Sequence, residues 1–192
     1  RKIVIEALKD GFKRLLFPSI EREVRNILTT KAQEEAIKIF SKNLQQLLLT
    51  PPIKERVILG VDPGFVSGCK LSIIDKNGNF LRKGKFYLHH SNQEEIILDF
   101  IKQVDLIAIG NGTASRESEK FIASIIKKYN LDISYVIVSE AGASVYSASK
   151  EAIREFPNLS VEERSAISIA RRVLDPLSEL IKIDPKSIGV GQ

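Results

Sequence analysis

The stretch that follows Pro51-Pro52 constrains the fold most, because the spacing of the apolar residues changes there. Upstream they recur at helical intervals. Residues 57–61 are continuously apolar and rich in β-branched side chains, as in a strand buried on both faces. Residues 69–75 then alternate, with Leu71 and Ile73 opposite Lys70 and Ser72. The turn Lys76-Asn77-Gly78-Asn79 carries an Asn-Gly pair, a strong hairpin signal, and leads into a third strand at 80–88. The chain therefore begins its sheet with three antiparallel strands.

Beyond residue 88, helix and strand alternate. Ser91 and Glu94 have capping-box spacing for a helix carrying Ile96, Ile97, Phe100 and Ile101. Residues 106–109 read as another buried strand, 115–129 as a helix and 133–138 as a fifth strand. Helices are expected over 143–156, from the pair Ser160/Glu163 to Val173, and over 176–181. Three antiparallel strands and then α-β-α-β-α is the order of an α/β, RNase H-like fold. The expected sheet is mixed and five-stranded, flanked by helices, with 57–61 central between 69–75 and 106–109.

The first 52 residues read as an N-terminal helical arm, and 53–192 as the RNase H-like domain. Ile3, Ile5, Leu8, Phe12, Leu15 and Leu16 mark a first helix. Pro18 is expected to interrupt it, with Ser19 capping a second helix that ends before Pro51. About thirty residues at 1.5 Å each make a rod of roughly 45 Å. Two shorter helices broken near Thr29-Thr30 are the alternative. Val24, Ile27, Leu28, Ile37, Phe40 and Leu44 form a stripe too long for a small domain to bury, so part of it is expected to stay exposed.

Charge divides along the same boundary. Of the net +5, residues 1–56 hold 12 Lys/Arg against 7 Asp/Glu, and the remaining residues hold 17 of each sign. Phosphate contact by the compact part must therefore come from a local patch. Cys69 has no partner for a disulfide and two histidines make no zinc site, which points to a reducing compartment. No apolar run reaches the ~20 residues that cross a bilayer and the start is not signal-like, so a cytoplasmic location without membrane association is expected. The opening on Arg1 and the run KIDPKSIGVGQ are expected to belong to a longer protein.

Four segments carry a family resemblance: VILGVDPGFVSGCK (57–70), LIAIGNGTASRESEKFI (106–122), VIVSEAGASVYSASKEAIREFP (136–157) and RSAISIARRVLDPLSELIKIDPKSIGVGQ (164–192). Together they resemble the YqgF/RuvC-like domain of the Tex family of bacterial transcription accessory proteins. FPSIEREVRNILTTKAQEEAIKIF (17–40) resembles the helical segment preceding that domain. The resemblance implies nucleic acid and the transcription machinery as partners, inside a protein that also carries helix-hairpin-helix and S1 RNA-binding parts.

RNase H-like nucleases cleave phosphodiesters with two metal ions held by three or four converging carboxylates. Asp62, ending the first strand, and Glu140, just past the fifth, match two of those positions. Asn111 stands where RuvC-type resolvases place a Glu, and Ser165-Ala166 where the last helix should present an Asp. Glu162 and Glu163 lie one turn earlier, Glu163 being the capping partner of Ser160. No catalytic residue is therefore assigned. Asp62 and Glu140 are vestigial candidates, and a single weakly held Mg²⁺ there is the only cofactor the pattern allows. The alternative is a metal-dependent RuvC-type nuclease with a reduced carboxylate set, and a carboxylate of Glu162 or Glu163 reaching Asp62 and Glu140 would favour it.

Other motifs have plainer readings. Gly64 and Gly68 suit a tight turn, and GFVSGCK lacks Walker A spacing. GNGTAS (110–115) joins a strand to a helix capped by Thr113 or Ser115, with Arg116 placed to meet a phosphate. Ser147-x-x-Lys150 lacks the partners of a penicillin-binding site, and the small residues of 141–149 are expected to let a helix lie close to a neighbour. His89-His90 reads as exposed loop. Arg116, Arg171 and Arg172 are the candidate nucleic-acid contacts, with Lys182 and Lys186 as a further basic pair.

Overall fold

The computed structural model describes residues 1–90 and 92–189 and divides into two compact units, Arg1–Gln45 and the residues from Gln46 onward. The first unit is helical throughout. Helix α1, Lys2–Gly11, passes through a π-helical turn, Phe12–Leu16, directly into α2, Phe17–Leu48. Pro18 therefore does not interrupt the helix and Ser19 caps nothing. Pro18 has no N–H and its ring crowds the carbonyl four residues back, and the wider π turn just before it accommodates both. Thr29-Thr30 does not break α2 either. Val24, Ile27, Leu28 and Ile37 are exposed, as the length of the stripe requires. Spaced ion pairs, Arg14–Asp10, Arg25–Glu21 and Lys38–Glu35, lie along this run.

The second unit is built on a five-stranded sheet: β1 Ile58–Asp62, β2 Cys69–Ile74, β3 Phe80–Phe86, β4 Leu106–Gly110 and β5 Ser134–Val138. Its order is β3-β2-β1-β4-β5, with the first three antiparallel and β1, β4 and β5 parallel. This is the RNase H-like arrangement expected from the sequence. Helices α3 Gln93–Ile101 and α4 Ser115–Lys128 cover one face over Leu59, Val61, Leu71, Ile107 and Ile109. Helix α7, Val161–Leu174, covers the other over Ile58, Ile74 and Ala108. Both faces being covered, the polar side of β2 is buried too: Lys70 and Ser72 lie under α7, not in solvent. Alternation in β2 thus marks two buried faces of different polarity.

Several local expectations change. The helix expected over 143–156 is two: α5 Ala143–Ser147 and α6 Lys150–Glu155, separated where Ser149 accepts from the Ala152 N–H and caps the second. Neither Thr113 nor Ser115 caps α4, because Ala114 with φ 68° holds that place. Ser91 lies outside the described residues, and Glu94 pairs with Lys128 across to α4. The Ser160/Glu163 capping box is present as expected, and α8, Pro176–Leu180, follows α7. At Asn77-Gly78, Gly78 takes φ 81° and Asp75 accepts from the Asn77 and Asn79 N–H groups. Among the described residues no helix is long and apolar enough to cross a membrane.

Candidate functional site

The carboxyl ends of β1, β4 and β5 open on a cleft of about 150 Å³, lined by Asp62, Glu140, Ser144, Ser147, Glu162 and Ser165 among others. Asp62 arrives as the last residue of the central strand, and Glu140 follows the edge strand. A side chain on Gly112 would overlap the Glu140 carboxylate, so glycine there clears its place. Asn111 holds Glu140 from behind, its Oδ1 accepting from the Glu140 N–H at 3.0 Å. Ser165, where a nuclease of this fold would present an acid, donates to the Asp62 carboxylate. Ser165 is thus engaged within the cleft, and Asn111 on the backbone of Glu140 beside it.

Burial pushes the Asp62 carboxyl up to about 6; the hydrogen bond from Ser165 opposes the rise, Glu140 adds to it, Lys70 opposes and Glu162 adds. The two spare acids of the α7 first turn behave differently. Glu163 is occupied away from Asp62: its carboxylate accepts from the Ser160 N–H at 2.7 Å and meets Lys83 at 2.9 Å. Glu162 does line the cleft, but its Oε2 is 2.7 Å from the Lys70 ammonium.

Lys70 is the residue that sequence reasoning missed. It sits directly across from Asp62 in the β1–β2 register and is only 5% exposed. Besides Glu162 it donates to the Ser67 and Gly68 carbonyls, each at 3.0 Å, and to the Ser67 hydroxyl. An ammonium has three donors, so none is left for a phosphate. The Asn-Gly turn registers β2 on β3 and pairs Lys70 with Lys85, whereas its pairing with Asp62 belongs to the β1–β2 register, which no turn motif marks.

A two-metal nuclease site needs anionic oxygens converging from several sides, and this donor set does not fit one. Asn111 and Ser165 are neutral and already bonded, Glu162 is ion-paired, and among the described residues no group of three His, Cys, Asp or Glu side chains is spaced to hold a metal.

The candidate arginines separate. Arg116 is exposed in the first turn of α4, beside a cleft formed by Asn111, Gly112, Ala114 and Ser115. Arg171 and Arg172 are engaged with partners inside the protein. Arg171 donates to the Gly78 carbonyl and pairs with Glu155 at 2.8 Å, fastening the hairpin turn and α6 to α7. Arg172 is 5% exposed, donates to the Ser139 carbonyl, and is lowered to about 10 by burial. Arg171 is held by its two partners and Arg172 by burial, so each is committed within the protein. Lys182 is paired with Glu179. Ser147 and Lys150 fall on different helices and make no nucleophile–base pair; Ser147 bonds the Ser144 carbonyl. His89 and His90 are exposed loop residues, stacked on Phe65 and Tyr87.

Comparison with known proteins places these features. The family model of the Tex protein YqgF-like domain matches residues 56–174. The chain is 49% identical to the transcriptional accessory protein Tex of Neisseria gonorrhoeae over 92% of its own length and 24% of Tex. It is 48% identical to human S1 RNA-binding domain-containing protein 1 over 99% of its length and 20% of that protein. The chain thus spans about a fifth to a quarter of these relatives. Among solved structures, the yeast mitochondrial Holliday junction resolvase Ydc2 aligns with 71% of this chain and 83% of its own, at 8% identity and a TM-score of 0.39.

Proposed function

Because the chain belongs to the Tex protein YqgF-like domain family, we propose that it is a nucleic-acid-associated RNase H-like module that does not cleave. In this reading it serves a cytoplasmic, Tex-type transcription accessory protein as scaffold and binding unit, working beside the transcription machinery. The observation that carries it is the neutrality of two positions, Ser165 against Asp62 in the cleft and Asn111 against the Glu140 backbone. Asn111 and Ser165 supply hydrogen bonds where phosphodiester cleavage through two metals needs anionic oxygens.

Electrostatics directs where nucleic acid would lie. Three carboxylates and one ammonium leave the cleft net negative, so it repels a phosphate that no metal escorts. The exposed Arg116 and the basic N-terminal segment are the cationic alternatives. The S1 RNA-binding domain named in the human relative supports an RNA setting for the whole protein.

The test has two arms. Binding of single- and double-stranded DNA and RNA is measured over a salt series, for the chain and for Arg116→Ala. The variant is expected to bind all sequences more weakly and to lose about one from the salt slope; an unchanged slope removes Arg116 from the interface. Holliday junctions, RNA–DNA hybrids and single strands are incubated with millimolar Mg²⁺ or Mn²⁺ and should remain intact. Glu162 at the cleft keeps the nuclease reading concrete, and metal-dependent cleavage abolished by Asp62→Asn would establish it.

A further inference from the structure

We infer that the Lys70 ammonium is the resident cation of the Asp62–Glu140–Glu162 cleft, and that it makes the site indifferent to divalent metal. The inference rests on the non-cleaving reading of the cleft and gives it a physical cause. Three observations carry it. Lys70 is almost fully buried, at the position directly across the strand pair from Asp62. Its ammonium is 2.7 Å from Glu162, the one spare acid that reaches the cleft. Its remaining donors are fixed on the Ser67 and Gly68 carbonyls, so the β1–β2 loop folds around the charge as a loop folds around a bound ion.

The chemistry favours an internal ammonium over a metal in two ways. Glu140 and Glu162 both oppose ionisation of the part-buried Asp62, and Lys70 supplies a counter-charge that cannot dissociate. The same charge opposes a second cation. A like charge within ~4–6 Å shifts an ionic equilibrium by about one to three pKa units, so it weakens metal binding by about tenfold or more. Glu162, half exposed in the first turn of α7, would be free to turn toward Asp62 and Glu140 once the ammonium is gone. Lysine thus stands in for the metal in charge and withdraws one ligand from it.

Lys70→Met removes the charge and keeps an unbranched apolar stem in the buried strand. Mn²⁺ binding to the full 192-residue chain is followed by loss of the free-ion EPR signal, with no nucleic acid present. The unaltered chain is expected to show no saturable site. Lys70→Met should show saturable Mn²⁺ binding at least about tenfold tighter than the weakest the titration of the unaltered chain would detect, and adding Asp62→Asn to it should abolish the gain. If Lys70→Met does not fold in EDTA, Mn²⁺ should restore its circular dichroism spectrum, because a ligand of the native state alone shifts the folding equilibrium. An Asp62-dependent Mn²⁺ site in the unaltered chain would overturn the inference. So would a folded Lys70→Met without gain, or an unfolded one that Mn²⁺ leaves unfolded. None of these readouts involves cleavage or nucleic-acid binding, so failure here is distinct from failure of the proposed function.

Discussion

Asp62 holds its proton more tightly in the folded protein than an exposed aspartate does, and the sign of that difference fixes how stability responds to pH. With the folded pKa raised to about 6 from 3.8, the favourable contribution is complete below pH ~4 and is lost as pH rises through ~6. At pH 7–8 the ionised carboxylate is a burden. Asparagine mimics the protonated form and can still accept from Ser165. Asp62→Asn is therefore expected to stabilise the chain at pH 7.5 by on the order of 1–3 kcal/mol and to lose that advantage by pH 4, measured by urea unfolding across pH. Equal stability at both pH values would show that Asp62 is not desolvated. The adjacent arginines of α7 make a second residue-scale contrast. Arg171 satisfies the Gly78 carbonyl and Glu155, whereas Nε and Nη2 of Arg172 have no protein partner. Arg171→Met should cost about 1–3 kcal/mol, while Arg172→Met should be neutral within about 1 kcal/mol, since an apolar side chain replaces a poorly compensated buried charge. The reverse ranking in thermal unfolding would mean that Arg172 has partners beyond the Ser139 carbonyl. Sequence alone gives the two arginines the same reading, because adjacent residues on a mostly buried helix look like adjacent residues on an exposed one.

At the scale of elements, α7 determines both the fold and the site. It lies on β1 and β2, and a side chain on Gly60 would overlap the Ala166 carbonyl oxygen. Gly60→Ala must therefore push α7 off the sheet, moving Ser165 and Glu162 with it. The expected loss is at the upper end of the ~1–3 kcal/mol for an overpacked core, or more, because the obstacle is backbone and cannot rotate away. Chemical denaturation measures it, and a change below about 0.5 kcal/mol would refute so close an approach. The strands were legible because apolar runs and the Asn-Gly turn report local geometry, and the Ser160/Glu163 box was legible for the same reason. Asp62 and Glu140 were legible from the family resemblance together with the strand ends, Asp62 closing β1 and Glu140 lying two residues past β5. Lys70 was not: its role depends on α7 covering a second face of β2, a long-range fact that the alternation of residues 69–75 cannot express. The break between α5 and α6 escaped for a smaller reason. Ser149 lies between Ala148 and the helix formers Lys150, Glu151 and Ala152, and its competence as a cap competes with their propensity.

At the scale of the whole molecule, stability and net charge reside in different parts. The unit from Gln46 onward contains every buried residue of the described chain, and α1 and the helical run to Gln45 contain none. The first 56 residues carry the entire net +5. Burial of apolar surface is the dominant favourable term in folding, so a segment that buries no residue adds little to the cooperative unit. Its exposed stripe of Val24, Ile27, Leu28 and Ile37 is instead a surface liability, and its cations are available for long-range attraction to phosphate. Removal of residues 1–45 should then separate the two properties. The shortened chain is expected to unfold within a few degrees of the full chain's midpoint, where ~1 kcal/mol corresponds to roughly 4 °C for a domain of this size. It should also resist aggregation better and lose most of any non-specific, salt-sensitive nucleic-acid binding. Thermal unfolding and a salt series on both chains measure the two effects together. A midpoint lowered by more than about 10 °C would show that the helical run stabilises the sheet domain. Unchanged binding would move the phosphate-contacting surface onto the RNase H-like unit and its exposed Arg116.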